Sequence, residues 1–360
     1  MQEPLPTHDE STPSRWPALR GAVLALVAAT LFGISTPLVQ RAGSGLGPFA
    51  TAALLYAGAS LIGALLRRPP EREAALMRGD MRRLSLMALF GAVIGPVALA
   101  WGLQQTSGTS ASLLLALEAL FTALLARALY HEVMDRQVWA AMLLLFAGGA
   151  VLVWDRGASS GSTQLVGLLA VLGATAAWGV DNTLSRTLAE RDPAQVVLGK
   201  SALGAAASAL IAATVGEPLP SVGAAVALLA IGASGYGLSL RLYLLAQREF
   251  GAARTGSVFA FAPFIGALLA IALGDRSLSW GMATGGALMF AGVALHLAES
   301  HAHEHVHEPI EHEHAHRHDD QHHDHPHDPM PEGAHSHLHR HEARRHAHPH
   351  VPDAHHAHRH

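Results

Sequence analysis

Four ionisable side chains stand inside otherwise apolar stretches of this 360-residue chain: Glu118, Asp181, Lys200 and Arg241. Each is costly to hold away from water, so each is expected to face a cavity or a partner. Glu118 sits about nine residues from each end of its apolar run, roughly 13 Å deep at about 1.5 Å per residue, which is the middle of a bilayer. A carboxylate at that depth has the chemistry of a proton carrier or of a ligand for a cationic substrate. The other reading is a bond to a neighbouring helix with no further role. Asp181 lies towards one end of its run and Lys200 at a similar depth on the next, with a short connection between them, so the two are expected to approach. They suit either a structural ion pair or a substrate site or gate, because attraction alone does not repay the desolvation of two charges. Asn182 is a natural polar partner for Asp181, and Ser35 and Thr36 hold the corresponding place in the first half. Arg241 is close enough to a span end to snorkel to the headgroups. Trp101, Gln104, Gln105, Trp178 and Tyr236 are candidate cavity lining, although aromatic residues near span ends also serve as interfacial anchors.

A second constellation is the C-terminus, where residues 299–360 hold 23 of the 26 histidines. Many alternate with other residues: His301, His303, His305 and His307, then His312, His314, His316 and His318, with Glu304, Glu313, Asp319 and Asp320 among them. Neutral imidazole binds zinc, nickel, cobalt or copper, and many weak sites on one chain can exchange a metal among themselves. Almost no large apolar residue is present to bury, so this tail is expected to be disordered without metal. No other cofactor is required.

The elements that must position these groups follow from hydropathy. Half of the residues are hydrophobic, 14% are charged, and the mean hydropathy is +0.25 even with the polar tail included. A helix needs roughly 20 apolar residues to cross about 30 Å of hydrocarbon. Runs of that kind recur near 20–40, 48–66, 84–104, 109–127, 138–154, 165–186, 194–214, 222–246, 255–273 and 280–298. The breaks carry Gly, Pro, Ser, Asp or Arg. Residues 1–18 are polar, and the first apolar run is a full span, so no cleaved signal peptide is expected. Absence of cysteine excludes disulfides, thiolate metal sites and cysteine nucleophiles. No phosphate-cradling Gly-Lys loop, metal-peptidase helix pair or nucleophile elbow occurs, which argues against ATP-driven transport by this chain alone and against an enzyme. The basic stretch from Arg67 to Arg83 reads as a topology signal and a contact for anionic lipid, not as a nucleic-acid surface.

Loop arginines set the expected orientation. Placing the N-terminus inside puts Arg15, Arg20, Arg67, Arg68, Arg72, Arg78, Arg82, Arg83, Arg127, Arg136, Arg186, Arg191, Arg248 and Arg254 on that side, against Arg41, Arg156 and Arg276 on the other. Both termini are therefore expected in the cytoplasm, in the plasma membrane. The two halves also repeat. Phe32-Gly33-Ile34 matches Trp178-Gly179-Val180, Gly47-Pro48 matches Asp192-Pro193, Ala123–Ala126 matches Ala267–Ala270, and Phe146-Ala147-Gly148 matches Phe290-Ala291-Gly292. Five spans per half is an odd number, so the second half is expected upside down relative to the first, with a binding site at the interface near the midplane.

These residues resemble the EamA-type proteins of the drug/metabolite transporter superfamily over about 20–298. The marks are the aromatic-Gly turns Phe32 to Pro37 and Trp178 to Thr183, the run Leu113–Glu118 leading into Phe121–Leu125, and Gly251–Thr255 leading into Ala262-Pro263-Phe264. The resemblance implies an all-α membrane protein in which spans one to four and six to nine surround a central cavity, spans five and ten are peripheral, and access alternates between the two sides. The chain departs from the pattern at Ala119, where many members have Pro, while Pro263 is kept in the second half. The resulting division is a segment 1–18, a first five-helix repeat 19–154, a second 155–298 and the tail 299–360. The first functional reading is a secondary transporter exporting or exchanging a small organic metabolite or drug-like solute, with Glu118 as coupling or ligand carboxylate and Asp181 with Lys200 in a cytoplasmic gate. The alternatives are a divalent-cation exporter fed by the tail, and a membrane-tethered metal buffer or sensor. A homodimer stays open.

Overall fold

The computed structural model describes residues 16–68, 73–130, 134–160, 162–188, 191–250, 252–297, 302–306, 310–316, 335–341 and 345–349. Arg15, Arg72, His301, His307 and His318 lie outside the described residues. Among the described residues, ten helices are long and apolar enough to cross a membrane. They are α1 Leu19–Ala42, α2 Pro48–Leu65, α3 Arg78–Leu103, α4 Gly108–Leu129, α5 Arg136–Gly157, α6 Ser162–Ser185, α7 Pro193–Thr214, α8 Val222–Arg248, α9 Arg254–Ala272 and α10 Trp280–Leu297. The third begins at Arg78 instead of near 84, because Asp80 caps its first turn by accepting from the Met77 amide at 2.9 Å. Tail residues form four short strands, β1 Ala302–Val306, β2 Ile310–His316, β3 His335–His341 and β4 Arg345–Pro349. β1 pairs antiparallel with β4 and β2 with β3.

Helix starts are set by local chemistry. Ser107, Asp192 and Ser221 precede α4, α7 and α8, and each side chain accepts a bond from a first-turn amide. α2 is different: Gly47 has no side chain to cap it, and Pro48 occupies the first helical position. Two of its orphan amides, Phe49 N and Ala50 N, instead donate to the Glu217 carboxylate at 3.2 and 2.6 Å.

Packing follows the sequence repeat. α2 lies along α7 and α5 along α10, while α1 packs on α8 and α9 as α6 packs on α3 and α4. Exchanging the two halves turns every one of these contacts into itself or into another of the set. The aromatic-Gly motifs explain part of this. A Cβ on Gly33 would fall on Ala262 O of α9, and a Cβ on Gly179 would stand 2.7 Å from Phe121 Cβ of α4, so both glycines permit a close helix crossing. Distortions repeat as well. α3 contains a wide π turn at Ala88–Ile94 and α8 one at Gly232–Leu238, a distortion common at functional sites. α9 is interrupted at Ala260–Phe261, just before Pro263. α4 is interrupted at the matching place although Ala119 stands where a Pro would be. Its bonds tighten there, with Ala116 N to Leu113 O and Glu118 N to Leu115 O both at 3.0 Å. The break thus needs no proline ring, and it sits directly before Glu118.

Candidate functional site

The deepest polar cluster gathers on α6. Asn182 donates its amide to the Glu118 carboxylate of α4, and the Lys200 ammonium of α7 is bonded to Asp181 Oδ2. Asp181 and Asn182 are consecutive, so they point about 100° apart around the helix and serve different neighbours. This separates the expected Asp181–Asn182 partnership: Asn182 belongs to Glu118. The approach of Asp181 and Lys200 across the short connection is present. Both are almost fully buried, at 4% and 3% exposure, and Asp181 Oδ1 has no hydrogen-bond partner, whereas Glu118 and Asn182 are partly exposed.

Depth is where structure and sequence part. Asp181 stands four residues before the end of α6, which reads as a site near a membrane face. Its carboxylate lies against Gly91, in the middle of α3, at a point where any Cβ would overlap it. Gly91 O in turn accepts from Trp178 Nε1 at 3.0 Å and from the Tyr56 hydroxyl at the middle of α2. The pair therefore stands level with the middles of α2 and α3, as Glu118 stands at the middle of α4. A helical turn at Arg186–Leu188 extends the chain beyond α6 and accounts for the extra depth.

Aromatic rings close around these groups. Phe32 meets Trp178 and Tyr236 edge-on, each at 5.8 Å between centroids, and Tyr236 meets Tyr56 at 5.5 Å. Phe259 joins Phe32 to Tyr243 at 5.3 and 5.0 Å. Such edge contacts hold ring orientation as well as filling space. The π turns bring Gly91 and Tyr236 to the cluster, and the repeat appears again: Gly91 faces Asp181 as Gly235 faces Ser35. One half thus puts a paired carboxylate where the other puts a neutral hydroxyl, and that hydroxyl is spent on Phe32 O at 2.6 Å.

Other predicted residues fall elsewhere. Trp101 lies on the bundle surface at 38% exposure, about three turns along α3 from Gly91, and is not part of the cluster. Gln104 donates to Leu46 O at 2.8 Å, tying the end of α3 to the loop between α1 and α2, and Gln105 packs against Gly167. Arg241 is influenced by the charges of Arg68, Glu73, Asp192 and Arg248, which stand at the ends of α2, α7 and α8, and its Nε is buried and unbonded. A cavity of 290 Å³ at the end of α1 is lined by Gln40, Arg41, Ser107 and Asp275 among others and includes none of the predicted site residues. Among the described residues no group of three or more His, Asp or Glu is arranged to hold a metal. For His303, His305, His312, His314 and His316 only the backbone is described; the register sets His303 opposite His348, His305 opposite His346, and His312, His314 and His316 opposite His339, His337 and His335.

Tyr56, Gly91, Tyr243 and Phe259 complete the cluster and were not read from the sequence. Gly91 had a usable signal, since Gly91 and Gly235 share the repeat spacing of the other matched pairs.

Comparison with known proteins agrees with this architecture. The model of the EamA-like transporter family matches residues 19–154 and 165–298. A protein described as an uncharacterized transporter of Methanothermobacter thermautotrophicus is 27% identical over 298 residues, covering 76% of this chain and 85% of its own. A solved crystal structure aligns at a TM-score of 0.56 and 23% identity over 78% of this chain and 95% of that one, a likeness of fold.

Proposed function

The chain belongs to the EamA-like transporter family, and from that membership we propose that it is a secondary transporter moving a small organic solute by alternating access, with Glu118 as the coupling carboxylate. Family membership makes the protein a membrane transporter and not an enzyme. The observation that carries the finer reading is the pairing of Glu118 with Asn182 at mid-membrane, beside a carboxylate that is already neutralised. Asp181 is committed to Lys200 and buried. Glu118 has a neutral, reversible amide donor and partial exposure, so it is the acid able to exchange a proton or meet a cationic group of the solute.

Alternating access is supported by the interrupted helices α4 and α9 and by the two-fold exchange of helix contacts. Equivalent loops also lie at opposite ends of α2. The loop after α7 reaches the start of α2 through Glu217, whereas the loop after α2 leaves from its end. That arrangement supports inverted repeats. The loop arginines support a plasma-membrane orientation with both termini in the cytoplasm. In the tail, the His-against-His register favours a second, separable activity: binding of a divalent transition metal on the cytoplasmic side.

The solute can be found by comparing metabolites and metals in cells with and without the protein, and then followed in proteoliposomes under an imposed pH gradient. Gradient-driven flux should be lost in Glu118→Gln. If that variant keeps coupled flux at the full rate, Glu118 is not the coupling group.

A further inference from the structure

We propose that Glu73 and Glu217 are the locks of two opposed gates, one at each end of the transport path. The two residues are related by the spacing that also relates Gly148 to Gly292, with Glu73 in the loop after α2 and Glu217 in the loop after α7. Each carboxylate reaches out of its own half and closes on the other. Glu217 accepts from Phe49 N and Ala50 N at the start of α2. Glu73 accepts from Arg248 Nη1 at 2.7 Å at the end of α8 and stands 3.6 Å from Arg68. These contacts bracket α2, whose 18 residues span roughly 27 Å, so they secure opposite ends of the bundle.

The two locks differ because of one substitution between the repeats. Before α7 stands Asp192, which caps that helix itself by accepting from Ala194 N at 2.9 Å. Before α2 the matching residue is Gly47, and a Cβ there would overlap the Glu217 carboxylate. The glycine both leaves α2 uncapped and makes room for the acid from the other half. At the other end the helix start is already served, so Glu73 pairs with arginine instead. It is reinforced there by neighbours: Arg248 Nη2 donates to Arg191 O at 2.6 Å, Arg191 Nε to Asp80 at 2.9 Å, and Asp192 N to Ala74 O at 2.8 Å. The Glu73 end is therefore the firmer lock, held by ion pairs, and the Glu217 end the weaker, held by two amides.

Opening either end must break the contact there and spare the other, which is what alternating access requires. The test uses the absence of native cysteine. A single thiol introduced by Thr122→Cys, one turn beyond Glu118, is labelled with a membrane-impermeant maleimide in sealed vesicles of each orientation. Glu73→Gln should raise labelling on the order of tenfold from the Glu73 face and lower it from the other. Glu217→Gln should do the reverse. Gly47→Ala, which displaces Glu217 while keeping its charge, should match Glu217→Gln. Labelling unchanged by all of these, or shifted in the same direction by both acid substitutions, overturns the proposal. Because no solute is needed, the result stands apart from the role assigned to Glu118.

Discussion

Lys200→Met isolates the energetic demand of the mid-membrane cluster. Lys200 and Asp181 are 3% and 4% exposed, Asp181 Oδ2 is bonded to the ammonium, and Asp181 Oδ1 has no partner. Removing the ammonium leaves a buried carboxylate with no compensating charge, and breaking such a pair costs about 3–5 kcal/mol. Removing both charges with Asp181→Asn and Lys200→Met together leaves a neutral amide of nearly the same shape. That choice respects Gly91, which leaves space at Asp181 for a small branched group only. The double variant should therefore recover at least about 2 kcal/mol of the single variant's loss, a coupling typical of groups in direct contact. Denaturant unfolding in mixed micelles, followed by circular dichroism for wild type, both single variants and the double, completes the cycle. If the double variant is as unstable as Lys200→Met, or the two single effects simply add, charge compensation is not what Lys200 supplies.

Three further outcomes are expected. Asn182→Leu removes the amide bonded to Glu118; it should cost about 1–3 kcal/mol and reduce gradient-driven flux, while Asn182→Gln retains part of both. Gly91→Ala forces a methyl onto the Asp181 carboxylate and should destabilise the bundle by about 1–3 kcal/mol, read as a lower unfolding midpoint. Asp275, in the loop after α9, has burial pushing its carboxyl up, but hydrogen bonds from Ser277 and Thr109 outweigh it and hold the group at about 2, below its ordinary 3.8. A depressed carboxyl stabilises the fold above its unfolded value and loses that contribution as pH falls through the folded one, here between about 4 and 2. Asp275→Asn should flatten the acid limb of stability in that window, measured by thermal unfolding against pH; an unchanged limb would assign it to another group.

Hydropathy and chain order were enough to place ten spans, to set Glu118 at the middle of its helix and to bring Asp181 towards Lys200. Each of these depends on position along a single helix or on a short connection, and chain order carries that information directly. What the helices do around their own axes and against distant partners does not appear in chain order. Only the packed bundle turned Asn182 to Glu118, and it did so because consecutive helical residues face neighbours about 100° apart. Only the crossing of α6 over the bare backbone of Gly91 showed that Asp181, four residues before the end of α6, lies level with the middle of α3. Only that packing put Trp101 on the bundle surface and joined Glu217 to the start of α2 across 167 and 168 positions of sequence. Apolar length and repeat spacing are local quantities written in the residues themselves, whereas a helix's rotation is chosen by the close fit of all ten spans, and the polar partners follow from that fit.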